Sequence, residues 1–185
     1  ETEIIIEESL KLLEKNVNSR ILDVGSGSGC IILSILKERN NCSGIGIDIS
    51  KKAIKTAKLN AKIQQLNNRA RFIQIDIDKF FLGKYDLVVS NPPYIKNLKI
   101  KSLDEDVKDF EPKIAIDGGI DGFNLIKKVI IRSSKLIRKN GKFVIEIGMD
   151  QGITTCKLLK ANGFYVNKVI KDLSGKQRCI LATKI

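Results

Sequence analysis

The run Arg20-Ile21-Leu22-Asp23-Val24 passes without a break into Gly25-Ser26-Gly27-Ser28-Gly29, and this junction constrains the fold more than any other segment. A short apolar run bounded by turn residues reads as a buried strand. Glycines straight after it let the backbone turn tightly and approach a ligand closely. Residues 30–37 then carry an apolar helix face. A strand, a glycine turn and a helix in that order open an alternating α/β chain.

The alternation continues to the end. Residues 3–15 place Ile5, Ile6, Leu10 and Leu13 at helical spacing. Residues 44–48 form a second strand. Ser50 is positioned to cap a helix that runs to about residue 66. Residues 71–75 and 85–90 are the third and fourth strands, and the fourth runs into two prolines. A long polar stretch reaches to about residue 122, with some helix near residues 103–110; so long a connection in a compact domain is usually functional. Residues 123–138 read as a helix with Gly141 as its C′ glycine, and residues 142–147 as a fifth strand. A helix over 151–161 ends at Asn162-Gly163, and strands over 164–170 and 178–183 form a hairpin. The expected fold is a doubly wound, seven-stranded, mostly parallel sheet with a C-terminal antiparallel hairpin.

At 185 residues, 43% hydrophobic and 29% charged, the chain suits one soluble domain with a sizeable core. Apolar runs such as Ile4-Ile5-Ile6 are too short to cross a bilayer, so no membrane partner is expected. No signal peptide opens the chain, which points to the cytoplasm. The four cysteines are scattered and there is no histidine, so no metal site is expected. The net charge of +12 is compatible with RNA, DNA or a ribonucleoprotein. However, the bases are 26 Lys and only 7 Arg, spread along the chain. That pattern equally fits solvated lysine faces.

Four motifs carry the chemistry. The glycine loop Gly25 to Gly29 lacks the third glycine of the dinucleotide fingerprint, because Cys30 stands in its place, which disfavours NAD or FAD. Asp23, just before it, suits a cationic ligand group. Asp48 ends the second strand, where a carboxylate can accept from both hydroxyls of a ribose. Asp76-Ile77 follows the third strand, where the acid can take an adenine amino group while its apolar neighbour covers the ring. Finally, Asn91-Pro92-Pro93-Tyr94 follows the fourth strand. Two prolines give a rigid backbone without N–H donors. The Asn91 amide oxygen and the Pro92 carbonyl are then two acceptors for an NH2 group, with Tyr94 stacked on the plane behind it. Holding both hydrogens orients a delocalised nitrogen toward an electrophile and favours its developing positive charge.

With these motifs the chain resembles the class I (Rossmann-like) methyltransferases that act on exocyclic or amide NH2 groups. More narrowly it resembles the HemK/PrmC family, the protein-(glutamine-N5) methyltransferases of peptide chain release factors. Glu1-Thr2-Glu3, Val107 to Pro112, Ile116 to Gly122, Glu146-Ile147-Gly148 with Gln151-Gly152, and Asp172 to Arg178 carry that narrower likeness over essentially the whole chain. The resemblance implies S-adenosyl-L-methionine as cofactor, with Gly25, Ser26, Gly27, Ser28 and Gly29 lining its methionine part. Asp48 would hold its ribose, Asp76 and Ile77 would flank its adenine, and Asn91 would adjoin it. Asn91, Pro92, Pro93 and Tyr94 would form the glutamine pocket, with Asn91, Pro92 and Tyr94 serving catalysis. The implied substrate is the glutamine of a release factor's Gly-Gly-Gln loop, and a monomer is expected. Residues 1–185 would be the catalytic domain, without the helical domain that precedes it in the family. Two alternatives stay open: an RNA or DNA amino-methyltransferase acting on adenine N6 or guanine N2, and a non-catalytic domain with a decayed site. Contact with the ribosome or nucleic acid through the basic surface is a further expectation beside the release factor.

Overall fold

The computed structural model describes residues 2–92 and 123–185. Among them are α1 (Thr2–Leu12), β1 (Arg20–Val24), α2 (Cys30–Glu38), β2 (Ser43–Asp48), α3 (Lys51–Ile63) and β3 (Ala70–Gln74). A 3-10 turn (Ile77–Lys79), β4 (Tyr85–Ser90), α4 (Asn124–Leu136), β5 (Ile137–Glu146), α5 (Gly152–Ala161), β6 (Phe164–Lys171) and β7 (Gln177–Lys184) follow. The helix expected near residues 103–110 lies outside the described residues.

The seven strands form one sheet in the order β3-β2-β1-β4-β5-β7-β6. Strands β1 to β5 pair in parallel, and β7 runs antiparallel to both β5 and β6. The doubly wound sheet and its terminal hairpin are therefore as the sequence predicts. Winding reverses between β1 and β4, the point at which open α/β sheets bind their ligands.

Side chains alternate along each strand, and the sheet buries both faces. Ile21, Leu87, Val89 and Val144 pack with Ile5 of α1, Ile32 and Leu36 of α2, and Ile54 of α3. Leu22, Val24, Val88, Phe143 and Ile145 pack on the opposite side with Ile126 and Ile130 of α4 and Leu159 of α5. Each such side chain contributes roughly 1.5–3 kcal/mol when fully buried.

Ser50 caps α3 as expected, its Oγ accepting from Ala53 N at 3.2 Å. The helix stops earlier than its apolar spacing suggests. Gln65 adopts φ +57°, Leu66 N donates to Ala61 O at 2.8 Å, and Gln65 N donates to Lys62 O at 3.1 Å. This is a Schellman closure with Gln where glycine is usual.

The fifth strand corrects the sequence reading. Helix α4 ends at Leu136, and β5 begins at once with Ile137 rather than at Lys142. Tyr85 pairs with Ile137 but Leu87 pairs with Lys142, so β5 bulges against β4. Asn140, not Gly141, takes the left-handed conformation, at φ +65°. Gly141 is required for a different reason: a Cβ there would lie 2.6 Å from Ile137 Cγ2 and 3.0 Å from Arg138 O.

Candidate active site

The sheet register brings the predicted residues to one edge. Val24 pairs with Ser90, Val24 also pairs with Ile47, and Asp48 pairs with Gln74. Gly25, Asp48, Asp76 and Asn91 thus leave four adjacent strands at nearly one level, at their carboxyl ends.

The glycine loop is anchored before any ligand enters. Gly25 N and Ser26 N both donate to Ile47 O, at 2.9 and 3.0 Å. Gly27 N donates to Asp48 Oδ2 at 2.9 Å, and Asn60 Nδ2 of α3 donates to Ser28 O at 2.9 Å. Gly25, Gly27 and Gly29 sit at φ +73°, +53° and +80°, a region L side chains rarely adopt. A Cβ on Gly25 or Gly27 would meet open space, whereas one on Gly29 would lie 2.9 Å from Phe72 Cζ. The first two glycines therefore face a cradle and the third packs the loop onto the sheet.

Asp23 lies beneath this loop and is fully buried. Neither of its carboxylate oxygens makes a well-formed hydrogen bond, and the Ile32 backbone N–H offers only a weak contact. Burial, reinforced by the nearby Asp48 charge and only partly offset by the Ile32 backbone N–H, pushes its carboxyl up to about 7. A buried acid so placed is suited to a cationic group arriving at the loop.

Asp48 is half-buried, and its second oxygen, Oδ1, accepts from Ser50 N at 2.8 Å. Each oxygen keeps a further lone pair for a diol. Asp76 accepts from Asp78 N at 2.9 Å and so caps the 3-10 turn. Its other partner is one that sequence reasoning missed: Lys128 of α4 lies 2.8 Å from Asp76 and 2.8 Å from Asp78, and Arg132 lies 2.8 Å from Asp78. Burial raises the Asp76 carboxyl, but the Lys128 ammonium and the Asp78 N–H outweigh it and leave it below its ordinary value. Ile77 is 5% exposed and lies in the same buried cluster as Val24 and Ile47.

Asn91 is half-buried and Pro92 buried. Ser90 Oγ donates to Val24 O at 2.8 Å, tying the end of β4 to the root of the glycine loop. Asn91 Nδ2 donates to Thr2 Oγ1 at 3.3 Å. Sequence reasoning used Thr2 only as part of the Glu1-Thr2-Glu3 likeness and gave it no place in the site; this bond brings it there. Pro93 and Tyr94 lie outside the described residues.

Two further segments acquire structural roles. Gln151 Oε1 accepts from Gly148 N at 2.8 Å, closing the turn after β5. Asp172 closes the β6–β7 turn, accepting from Lys176 N at 2.9 Å and pairing with Arg178 Nε at 2.9 Å. Among the described residues, no group of three His, Cys, Asp or Glu side chains could hold a metal ion. No described helix is long and apolar enough to cross a membrane. Cys179 is buried, its thiol pushed up to about 12 by burial and by Glu146 and Glu8.

This architecture is a methyltransferase one: residues 15–179 match the family described as Methyltransferase domain. The chain is 39% identical over 184 residues to the release factor glutamine methyltransferase of Rhodospirillum rubrum, all of it aligning with 56% of that protein. It is 34% identical over 186 residues to the release factor glutamine methyltransferase of Thermodesulfovibrio yellowstonii, covering 67% of it. In fold it is similar to a methyltransferase from Pyrococcus furiosus, with a TM-score of 0.69 at 16% identity, covering 99% of this chain and 81% of the other. The chain belongs to the methyltransferase-domain family, and within it to the release factor glutamine methyltransferases. It spans 56% of the length of the Rhodospirillum rubrum relative.

Proposed function

We propose that this chain is the catalytic domain of an enzyme that methylates the side-chain amide nitrogen of the glutamine in a release factor's Gly-Gly-Gln loop, with S-adenosyl-L-methionine as donor. The observation that carries this reading is the pairing of Val24 with Ser90, which makes the glycine loop and Asn91-Pro92 leave the sheet side by side. A donor in the loop and a nitrogen held at Asn91 are then neighbours.

The residues fit that donor. The open space over Gly25 and Gly27 admits its methionine part, and the unpartnered Asp23 carboxylate offsets its positive charge. Asp48 takes the ribose hydroxyls, and Asp76 with Ile77 serves the adenine. Bound there, S-adenosylmethionine would supply an electrophilic sulfonium methyl group, which the glutamine nitrogen would accept with loss of one amide proton. The role of Asn91 and the Pro92 carbonyl is to hold the two N–H groups, so that the lone pair points at the methyl carbon. Pro93 and Tyr94 complete the pocket in this reading. In this reading the enzyme works in the cytoplasm, as a monomer.

The +12 charge supports a second reading, a nucleobase amine in RNA or DNA. The relatives' shared activity favours glutamine. The test is Asn91→Ala: transfer to a release factor is lost, while calorimetric affinity for S-adenosylmethionine stays within several-fold. Full turnover by that variant overturns the assignment.

A further inference from the structure

We infer that Thr2 is a positioning residue for Asn91: its hydroxyl holds the carboxamide NH2, so that Oδ1 is turned toward the incoming amide. This rests on the glutamine reading proposed above.

A carboxamide has one donor end and one acceptor end. An incoming NH2 group needs the acceptor. If the Asn91 amide were flipped, its own NH2 would confront the NH2 of the substrate, donor against donor. The backbone on either side of Asn91 is already fixed, by Ser90 Oγ on Val24 O and by the ring of the buried Pro92. Only the side-chain torsions of Asn91 remain free, and the terminal one is broad and nearly two-fold. Thr2 Oγ1, 3.3 Å from Asn91 Nδ2, gives the donor end a partner.

The support behind Thr2 is firm. Ile5 and Ser9 of α1 are fully buried. Arg39, at the end of α2, donates through Nε to Leu13 O at 2.9 Å and through Nη2 to Leu10 O, pinning the far end of α1. Helix α1 thus works as a strut that presents one hydroxyl to the reaction centre from 89 positions upstream.

The experiment compares Thr2→Val, which keeps the shape and removes the hydroxyl, with Thr2→Ser, which keeps the hydroxyl. In Thr2→Val, kcat on a release factor falls about tenfold or more, short of the 10²–10³ that follows outright loss of an active-site hydrogen-bonding group. Its S-adenosylmethionine affinity and thermal midpoint stay near those of the wild type, and Thr2→Ser stays within about threefold in kcat. Side-chain amide NMR reads the same contact without catalysis. The Asn91 NH2 signals, identified by their loss in Asn91→Ala, move in Thr2→Val and stay in place in Thr2→Ser. Unchanged Asn91 signals in Thr2→Val, an undiminished kcat, or equal losses in both variants overturn the inference. A wild-type enzyme inactive on release factors instead overturns the glutamine reading, and the amide spectrum then decides the Thr2–Asn91 contact by itself.

Discussion

The Asp48 carboxylate grips Gly27, accepting its backbone N–H at 2.9 Å through Oδ2 while Oδ1 takes the Ser50 N–H at 2.8 Å. One side chain therefore sets both the glycine loop and the start of α3. In the proposed reading the same carboxylate takes the ribose hydroxyls, which would couple loop geometry to ribose recognition.

Asp48→Ala should reveal that coupling. Hydrogen bonds to a charged group contribute about 1.5–3 kcal/mol each, so loss of even one ribose contact weakens S-adenosylmethionine binding roughly tenfold to a hundredfold. Calorimetry measures this directly. Unchanged affinity would remove Asp48 from the binding site.

The loop glycines separate into two kinds. Gly27→Ala strains a φ of +53° but places its Cβ in open space, so the variant folds with a loss of about 1–2 kcal/mol and binds the cofactor poorly. Gly29→Ala adds a clash, 2.9 Å from Phe72 Cζ and 3.2 Å from Leu33 Cδ1, and loses roughly 2–4 kcal/mol. Urea unfolding and calorimetry distinguish the pair. Tight cofactor binding by Gly27→Ala would contradict the cradle, and wild-type stability of Gly29→Ala would contradict the packing.

Asp23 makes stability depend on pH. Its folded value of about 7 lies above the ordinary 3.8, so the native state holds a proton that the unfolded chain releases. The stability this contributes is fully present below about pH 4 and is lost as pH rises through 7. Asp23→Asn removes the slope. Urea unfolding between about pH 5 and 8 should show the wild type losing ground to the variant up to 7, then levelling off. A gap independent of pH would contradict the buried, unpartnered carboxyl. Saturating S-adenosylmethionine should flatten the slope, since a cation at the loop favours the charged form.

Much of this was legible in the sequence, because the determining residues are local. The run from Arg20 to Gly29 specifies a strand and its turn by itself, and Ser50 caps α3 with its own Oγ. The misreading at Gly141 shows where locality fails. A glycine after a helix signals a C′ cap, yet here it avoids Ile137 and Arg138 in a bulge set by pairing with β4. The site divides in the same way. Asp48 and Asn91 are visible as acid and amide at strand ends. The Lys128 ion pair with Asp76 and the Thr2 bond to Asn91 join residues 52 and 89 positions apart, and no periodicity encodes such contacts.

The most direct test of the account is to incubate the chain with methyl-labelled S-adenosylmethionine, an unmethylated release factor and RNA together, and to locate the label by tandem mass spectrometry. The account predicts a single methyl group on the side-chain amide nitrogen of the Gly-Gly-Gln glutamine, absent when Asn91 is replaced by Ala. Label in the RNA with none in the release factor, or label on any other residue of the release factor, would contradict it.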